Sequence, residues 1–247
     1  MTDITIIIPL HKFDNTIKGL LENAFQSIRK NQENYTFGKL IPMVVGPNEV
    51  LESLGEEFGE KEFYHTCRNN EKTDFCSQIN HAVKNVETDY FYTNESVSLF
   101  LPINIIWSEE APGQFQYINE IAWTSSFSNE IGYLDYDCLQ DYPSFNLTGG
   151  IFNTNDFKTV GGFKPSIKLA FNYELLLRIT KKELKIFVVP KEGYMHVIGR
   201  KGSLTDEYNK EITREDIKKW FDLAKIECSF NEDRKIGISN IKEEDLK

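Results

Sequence analysis

The chain carries no apolar run of membrane-spanning length. Its opening apolar stretch, Ile4 to Leu10, is short and lacks the basic start of a signal peptide, so it reads as a buried strand. The expected location is therefore the cytoplasm, with a virus particle as the alternative setting. Basic charge is in short supply. Lys and Arg number 28 against 38 Asp and Glu, and a formal charge of −10 argues against the basic groove that nucleic acid needs. Metal-binding cysteine patterns are missing as well: Cys67, Cys76, Cys138 and Cys228 form no CxxC pair and no zinc spacing, which leaves free, mostly buried thiols in a reducing compartment. The three Asn-x-Ser/Thr sequons, at Asn34, Asn94 and Asn146, are chance matches on that reading. There is no internal repeat and no long low-complexity stretch.

What is present suits a packed α/β domain. The 247 residues are 40% hydrophobic and 13% aromatic, ample for a core. Thr5 to Pro9 is a continuous apolar run closed by proline, the pattern of a strand covered on both faces. Ile17, Leu20, Leu21, Ala24, Phe25 and Ile28 recur at helical spacing across Thr16 to Arg29, with Asp14 or Asn15 as the cap. A second strand, Leu40 to Val45, ends at Gly46-Pro47-Asn48, and strand–helix–strand predicts a parallel sheet. Further along, Phe63 to Cys67 reads as a short strand, Asp74 to Val86 as a helix and Asp89 to Thr93 as a strand. Ile103 to Phe145 reads as short strands and loops. Thr213-Arg214-Glu215-Asp216 has the form of a capping box, followed by an apolar stripe of Ile217, Trp220, Phe221 and Ala224. The charged tail from Asn231 is peripheral.

The stretch from Thr148 to Pro190 is the most specific. A Gly-rich turn, Thr148-Gly149-Gly150, is followed by Gly161-Gly162-Phe163, by the helix Tyr173-Glu174-Leu175-Leu176-Leu177-Arg178 and by the strand Ile186-Phe187-Val188-Val189-Pro190. This order resembles the acceptor half of family-2 glycosyltransferases. Thr5 to Pro9, Ser27 with Gln32, and Asn80 to Tyr90 resemble the same family's nucleotide half, so the likeness runs from about Thr5 to Ser203. The resemblance implies a GT-A fold, that is, a Rossmann-like α/β domain with a mixed, mostly parallel sheet flanked by helices. It would comprise a nucleotide half over about 1–102, an acceptor half over about 103–205, and a C-terminal helix and charged tail over 206–247. It also implies inverting transfer of a sugar from a nucleotide-diphosphate donor to a glycan acceptor. Pro9, His11, Asn48, Asn80, Asn94, Glu95, Arg200 and Lys201 would line the donor, and Gly149, Gly150 and Gly162 the acceptor side. A divalent metal, Mn or Mg, would be needed if the protein is active and none otherwise, with Glu95 and His196 as its ligands.

Three positions depart from the family pattern. Where the second strand should end in Asp-Asp-Gly-Ser, Val45-Gly46-Pro47-Asn48-Glu49 stands. Asn48 can hydrogen-bond a base there, and an ordinary turn is the other reading. The D-x-D position falls on Glu95-Ser96-Val97 or Asn94-Glu95-Ser96, leaving Glu95 as its one carboxylate. A literal D-x-D at Asp135-Tyr136-Asp137 lies outside the family's order and reads as a chance match in an acidic chain. Counting back from Arg178, the acidic pair that supplies the base falls on Phe171 and Asn172, and an amide has no basicity near neutral pH. Glu174 is roughly 200° further round the helix, which makes it a displaced base or a solvated helix residue; Asp156 is a remoter base. Two functions stay open: a glycosyltransferase with a diverged site, and a GT-A domain without transfer activity that serves as a binding or structural subunit among protein partners. A nucleotidyltransferase ranks behind both, for want of a metal carboxylate pair and a Gly-rich triphosphate loop.

Overall fold

A computed structural model describes residues 2–34, 38–59, 63–71, 74–93, 99–100, 115–117, 132–134, 139, 150–167, 170–182, 184, 186–188, 194–195 and 213–228. Ile4–Pro9 (β1) is buried along its whole length. It pairs in parallel with Leu40–Gly46 (β2) on one side and Tyr90–Thr93 (β4) on the other, and His65–Arg68 (β3) lies in parallel beyond β2. Alternation along β1 divides the core in two. Ile4, Ile6 and Ile8 join Ile17, Leu21, Ala24, Phe25 and Ile28 of helix Asn15–Asn34 (α1), together with Leu51 and Leu54 of helix Asn48–Phe58 (α2). Ile7 joins the other cluster, with Cys76, Ile79, Ala82 and Val83 of helix Phe75–Lys84 (α3). Helices thus cover both faces of the sheet, as the continuous apolar run requires.

The remaining strands extend this frame. Leu99–Phe100 (β5) pairs antiparallel with Tyr194–Met195 (β10) in a separate ribbon. Phe115–Tyr117 (β6), Gly132–Leu134 (β7), Ile151–Asn153 (β8) and Ile186–Val188 (β9) complete an eight-stranded sheet in the order β3-β2-β1-β4-β8-β6-β9-β7. In it β7 and β8 run against the other strands. Thr154–Val160 (α4) and Phe171–Lys181 (α5) follow β8, and Arg214–Glu227 (α6) packs on α5. This is the expected α/β architecture with a mixed, mostly parallel sheet. No described helix is long and apolar enough to cross a membrane.

Local signals account for several boundaries. Asp14 caps α1, its Oδ1 accepting from the Ile17 N–H at 2.9 Å. Gln32 staples the turn into β2: its Nε2 donates to Gly38 O at 3.1 Å and its Oε1 accepts from Leu40 N at 2.6 Å. The capping box forms as read, with Asp216 N donating to Thr213 Oγ1 at 3.2 Å and Thr213 N to Asp216 Oδ2 at 3.0 Å. α2 and α4 were not foreseen. Among their residues only Leu51 and Leu54 of α2 and Thr154, Phe157 and Val160 of α4 are buried, too few for a clear periodic stripe.

Cys67, Cys76 and Cys228 are buried free thiols, as expected; Cys138 lies outside the described residues. Burial pushes the Cys67 thiol up, and burial together with the Glu174 carboxylate pushes Cys228 up to about 11. Since the thiolate is the reactive form, Cys67 and Cys228 of the folded protein should resist iodoacetamide at mildly alkaline pH and react once guanidinium unfolds it. Peptide mass mapping would read this out, and rapid alkylation of either in the native state would contradict the packing.

Candidate active site

Chain order fixes where a ligand fits. From β1 the chain steps outward to β2 and β3, then returns to place β4 on the opposite flank of β1. In sheets of this kind ligands enter at the carboxyl ends of the strands where the order reverses, here between β1 and β4. Pro9 closes β1, with His11 two residues on; Asn48 opens α2 just after β2; Thr93 ends β4. The Thr93 N–H donates to the buried carbonyl of Gly150 at 3.4 Å, so the acceptor-side turn abuts the end of β4. α5 begins at this same edge, because the Phe171 ring lies 5.5 Å from that of Phe75, the residue that opens α3 just beyond the end of β3.

The ribbon brings two more segments to one place. Met195 pairs with Leu99. Leu99 and Met195 therefore lie side by side at one end of the ribbon. Asn94, Glu95, Gly149, His196, Arg200 and Lys201 themselves lie outside the described residues, as do Asp135 and Asp137. Leu134, the last described residue before them, pairs with Ile186 at the start of β9. Among the described residues no cluster of three or more His, Cys, Asp or Glu is gathered to hold a metal.

On the nucleotide side, the Asn48 N–H donates to Asn70 Oδ1 at 2.8 Å, while Asn48 Oδ1 is buried without a hydrogen-bond partner. Asn69 N donates to Gly46 O at 2.9 Å, prolonging the β2–β3 ladder. Asn48 thus stands where the family pattern has a carboxylate, with Asn69 and Asn70 beside it at the end of β3. Asn80 has a different place from the one expected. Its Nδ2 donates to Phe163 O at 2.7 Å and its Oδ1 accepts from Phe163 N at 2.8 Å, so the amide clasps the Gly-Gly-Phe turn rather than facing the donor crevice. Gly162 faces this clasp at φ +66°, and a Cβ there would come within 2.5 Å of Asn80 Oδ1. The glycine is therefore required by helix-to-turn packing.

Glu174 corrects the sequence reading most sharply. It is not solvated: its exposure is 0%. Its Oε1 accepts from Arg178 Nε at 2.5 Å and its Oε2 from Arg178 Nη2 at 2.7 Å, and Lys164 Nζ lies 3.1 Å from Oε1. Arg178 also donates to the carbonyls of Val160 and Gly162. A carboxylate with both oxygens engaged by cations and no access to solvent is a structural anion, not a proton acceptor for a substrate. The i, i+4 spacing of Glu174 and Arg178 is the sequence signal for the pair. The loop carbonyls it holds had none. Asn172 sits in the first turn of α5 with Oδ1 buried and unpartnered. Asp156 falls at the wrong edge: β8 ends at Asn153, paired with Tyr90 at the start of β4, and Asn153 Oδ1 caps α4 through the Asp156 N–H at 3.0 Å. Burial raises the Asp156 carboxyl pKa, but its position removes it from the crevice.

No family model matches the chain, and no curated protein matches it in sequence. Solved structures do match. Staphylococcus aureus TarS superposes with a TM-score of 0.59 at 14% identity, over 92% of this chain and 39% of that one. The chain thus spans about two fifths of that neighbour's length. TarS 1-349 in complex with UDP gives 0.58 at 14%, over 100% of this chain and 77% of the other. The mannosyltransferase PcManGT from Pyrobaculum calidifontis, in complex with GDP-Man and Mn2+, gives 0.57 at 14%, over 81% and 58%. The fold is that of GT-A glycosyltransferases.

Two substitutions test the clasp by urea denaturation. Gly162→Ala should cost at least about 1 kcal/mol through its positive φ and the Asn80 contact. Arg178→Met, which leaves Glu174 buried with Lys164 alone, should cost about 3–5 kcal/mol. A loss below about 1 kcal/mol for Arg178→Met would show that the pair does not hold the turn.

Proposed function

We propose that the protein is a nucleotide-sugar glycosyltransferase whose donor lies in the crevice between the carboxyl ends of β1 and β4. The observation that carries this reading is the meeting, at one sheet edge, of the ends of β1, β2 and β4, the Gly150 carbonyl held by Thr93 and the N-terminus of α5. Pro9 and His11 line the nucleoside, and the unpartnered Oδ1 of Asn48 suits a base N–H. Asn94, Glu95, His196, Arg200 and Lys201, which precede β5 or follow β10 in sequence, are the residues we assign to the diphosphate. The two cations supply positive potential to an anionic donor on an acidic protein. Mn or Mg held by Glu95 and His196 would neutralise the diphosphate as it leaves. Neighbours of this fold occur with UDP and with GDP-Man and Mn2+, which supports the same donor class here.

A second reading is favoured by one specific observation. The base position holds Asn172, and Glu174, the next carboxylate along the helix, is locked to Arg178. On that reading the domain keeps the scaffold and serves as a binding or structural subunit among protein partners.

Titration calorimetry with UDP, GDP and their sugars, with and without Mn2+, separates the two. Donor binding that strengthens with Mn2+, with the metal effect lost in Glu95→Ala, is the expected result. Absence of binding under every condition would leave the structural reading.

A further inference from the structure

We infer that Gln78 reads the base of the donor: its side-chain amide, with Asn48 Oδ1, receives a nucleobase edge that carries a ring N–H beside a carbonyl, as uracil and guanine do. This rests on the nucleotide-sugar reading above and deepens it. Gln78 is 1% exposed, and neither its Nε2 nor its Oε1 has a hydrogen-bond partner. Among the described residues no other side chain has two buried polar atoms left unpaired. A buried amide without partners carries a desolvation penalty that apolar packing does not return. Native proteins leave few such groups, and those they leave mark strain, chemistry or a bound partner.

The helix places this amide at the nucleotide edge. α3 links β3 to β4 within a parallel set, so it runs back against them, with its N-terminus at their carboxyl ends. Asn85, seven residues after Gln78 and on the same side of the helix, donates through Nδ2 to Cys67 Sγ of β3 at 3.5 Å. That side of α3 therefore faces β3. Seven residues of helix rise about 10 Å, which carries Gln78 past the end of β3 at Arg68, towards Asn69 and Asn70. Helical side chains lean towards their N-terminus, so Gln78 leans to the same edge. Asn80 faces another way, to the Gly-Gly-Phe turn. Asn70 Oδ1 accepts from Asn48 N, and Asn48 Oδ1 is a further unpaired amide oxygen at this edge.

The chemistry suits a base and not a phosphate. Asp74 caps α3, its Oδ1 accepting from Ser77 N at 2.9 Å, so a carboxylate already occupies the positive end of this helix. Gln78 and Asn48 are neutral, and an amide offers donor and acceptor side by side. Nε2 donates to the base carbonyl while Oε1 or Asn48 Oδ1 accepts from the ring N–H.

The test measures calorimetric binding of UDP, GDP and analogues of each methylated on the ring nitrogen to the full chain. Wild type should bind UDP or GDP about tenfold or more tightly than its methylated analogue, and the stronger of the two identifies the base. Gln78→Met keeps the side-chain volume. In urea without nucleotide its midpoint should match or exceed that of wild type, because an unpaired amide is removed. Its affinity for the preferred diphosphate should fall about tenfold or more, and the gap to the methylated analogue should close. A lower urea midpoint would show that the amide is bonded within the fold, and an unchanged affinity that the base lies elsewhere. Either overturns the inference while donor binding stands, as does equal binding of parent and methylated analogue by wild type. If wild type binds neither diphosphate, the reading beneath this inference falls with it.

Discussion

The buried ion pair of Glu174 and Arg178 is the interaction on which the packing of α5 against the Gly-Gly-Phe turn depends. A carboxylate at 0% exposure carries a desolvation cost of several kcal/mol, which is offset only when its lone pairs are filled with good geometry. Arg178 fills them in a bidentate fork, then uses its remaining donors on Val160 and Gly162. Those carbonyls belong to the turn whose next residue, Phe163, is held from the other side by Asn80. One helix of each half thus grips the same three-residue turn. Around it Phe75, Phe157, Phe163 and Phe171 meet edge to face or tilted, with centroids 5.4 to 5.8 Å apart, closing the joint with apolar area.

The opening strand and the capped helices were legible because their signals are local. A run of isoleucines closed by proline, a helical stripe with Asp14 before it and a capping box at Thr213 each declare themselves within one element. The acceptor half was legible as an ordered pattern, but the jobs of its residues were not. Asn80 and Phe163 are 83 positions apart, so nothing near Asn80 distinguishes a clasp from a ligand. Glu174 looked solvated because its neighbours on α5 give no hint that the α4 turn folds over it. Helical phase gives the side of α5 on which Glu174 lies. What phase could not supply was the partner waiting on that side.

Read together, the polar groups at the crevice are mostly neutral amides. Among the described residues Asn48, Asn69 and Asn70 hold the ends of β2 and β3, and Asn172 lies in the first turn of α5. Replacing carboxylates with amides keeps hydrogen-bonding shape while removing charge and basicity.

The small ribbon of β5 and β10 has a consequence for order. Its register ties Leu99 to Met195, closing a loop of nearly a hundred residues within a single chain. β5 in turn packs on α1, in the first layer of the fold. For flexible chains the entropy of such closure grows only with the logarithm of length, so much of it is already spent before any ligand arrives. A substitution that loosens α1 would therefore be felt at both strands of the ribbon at once.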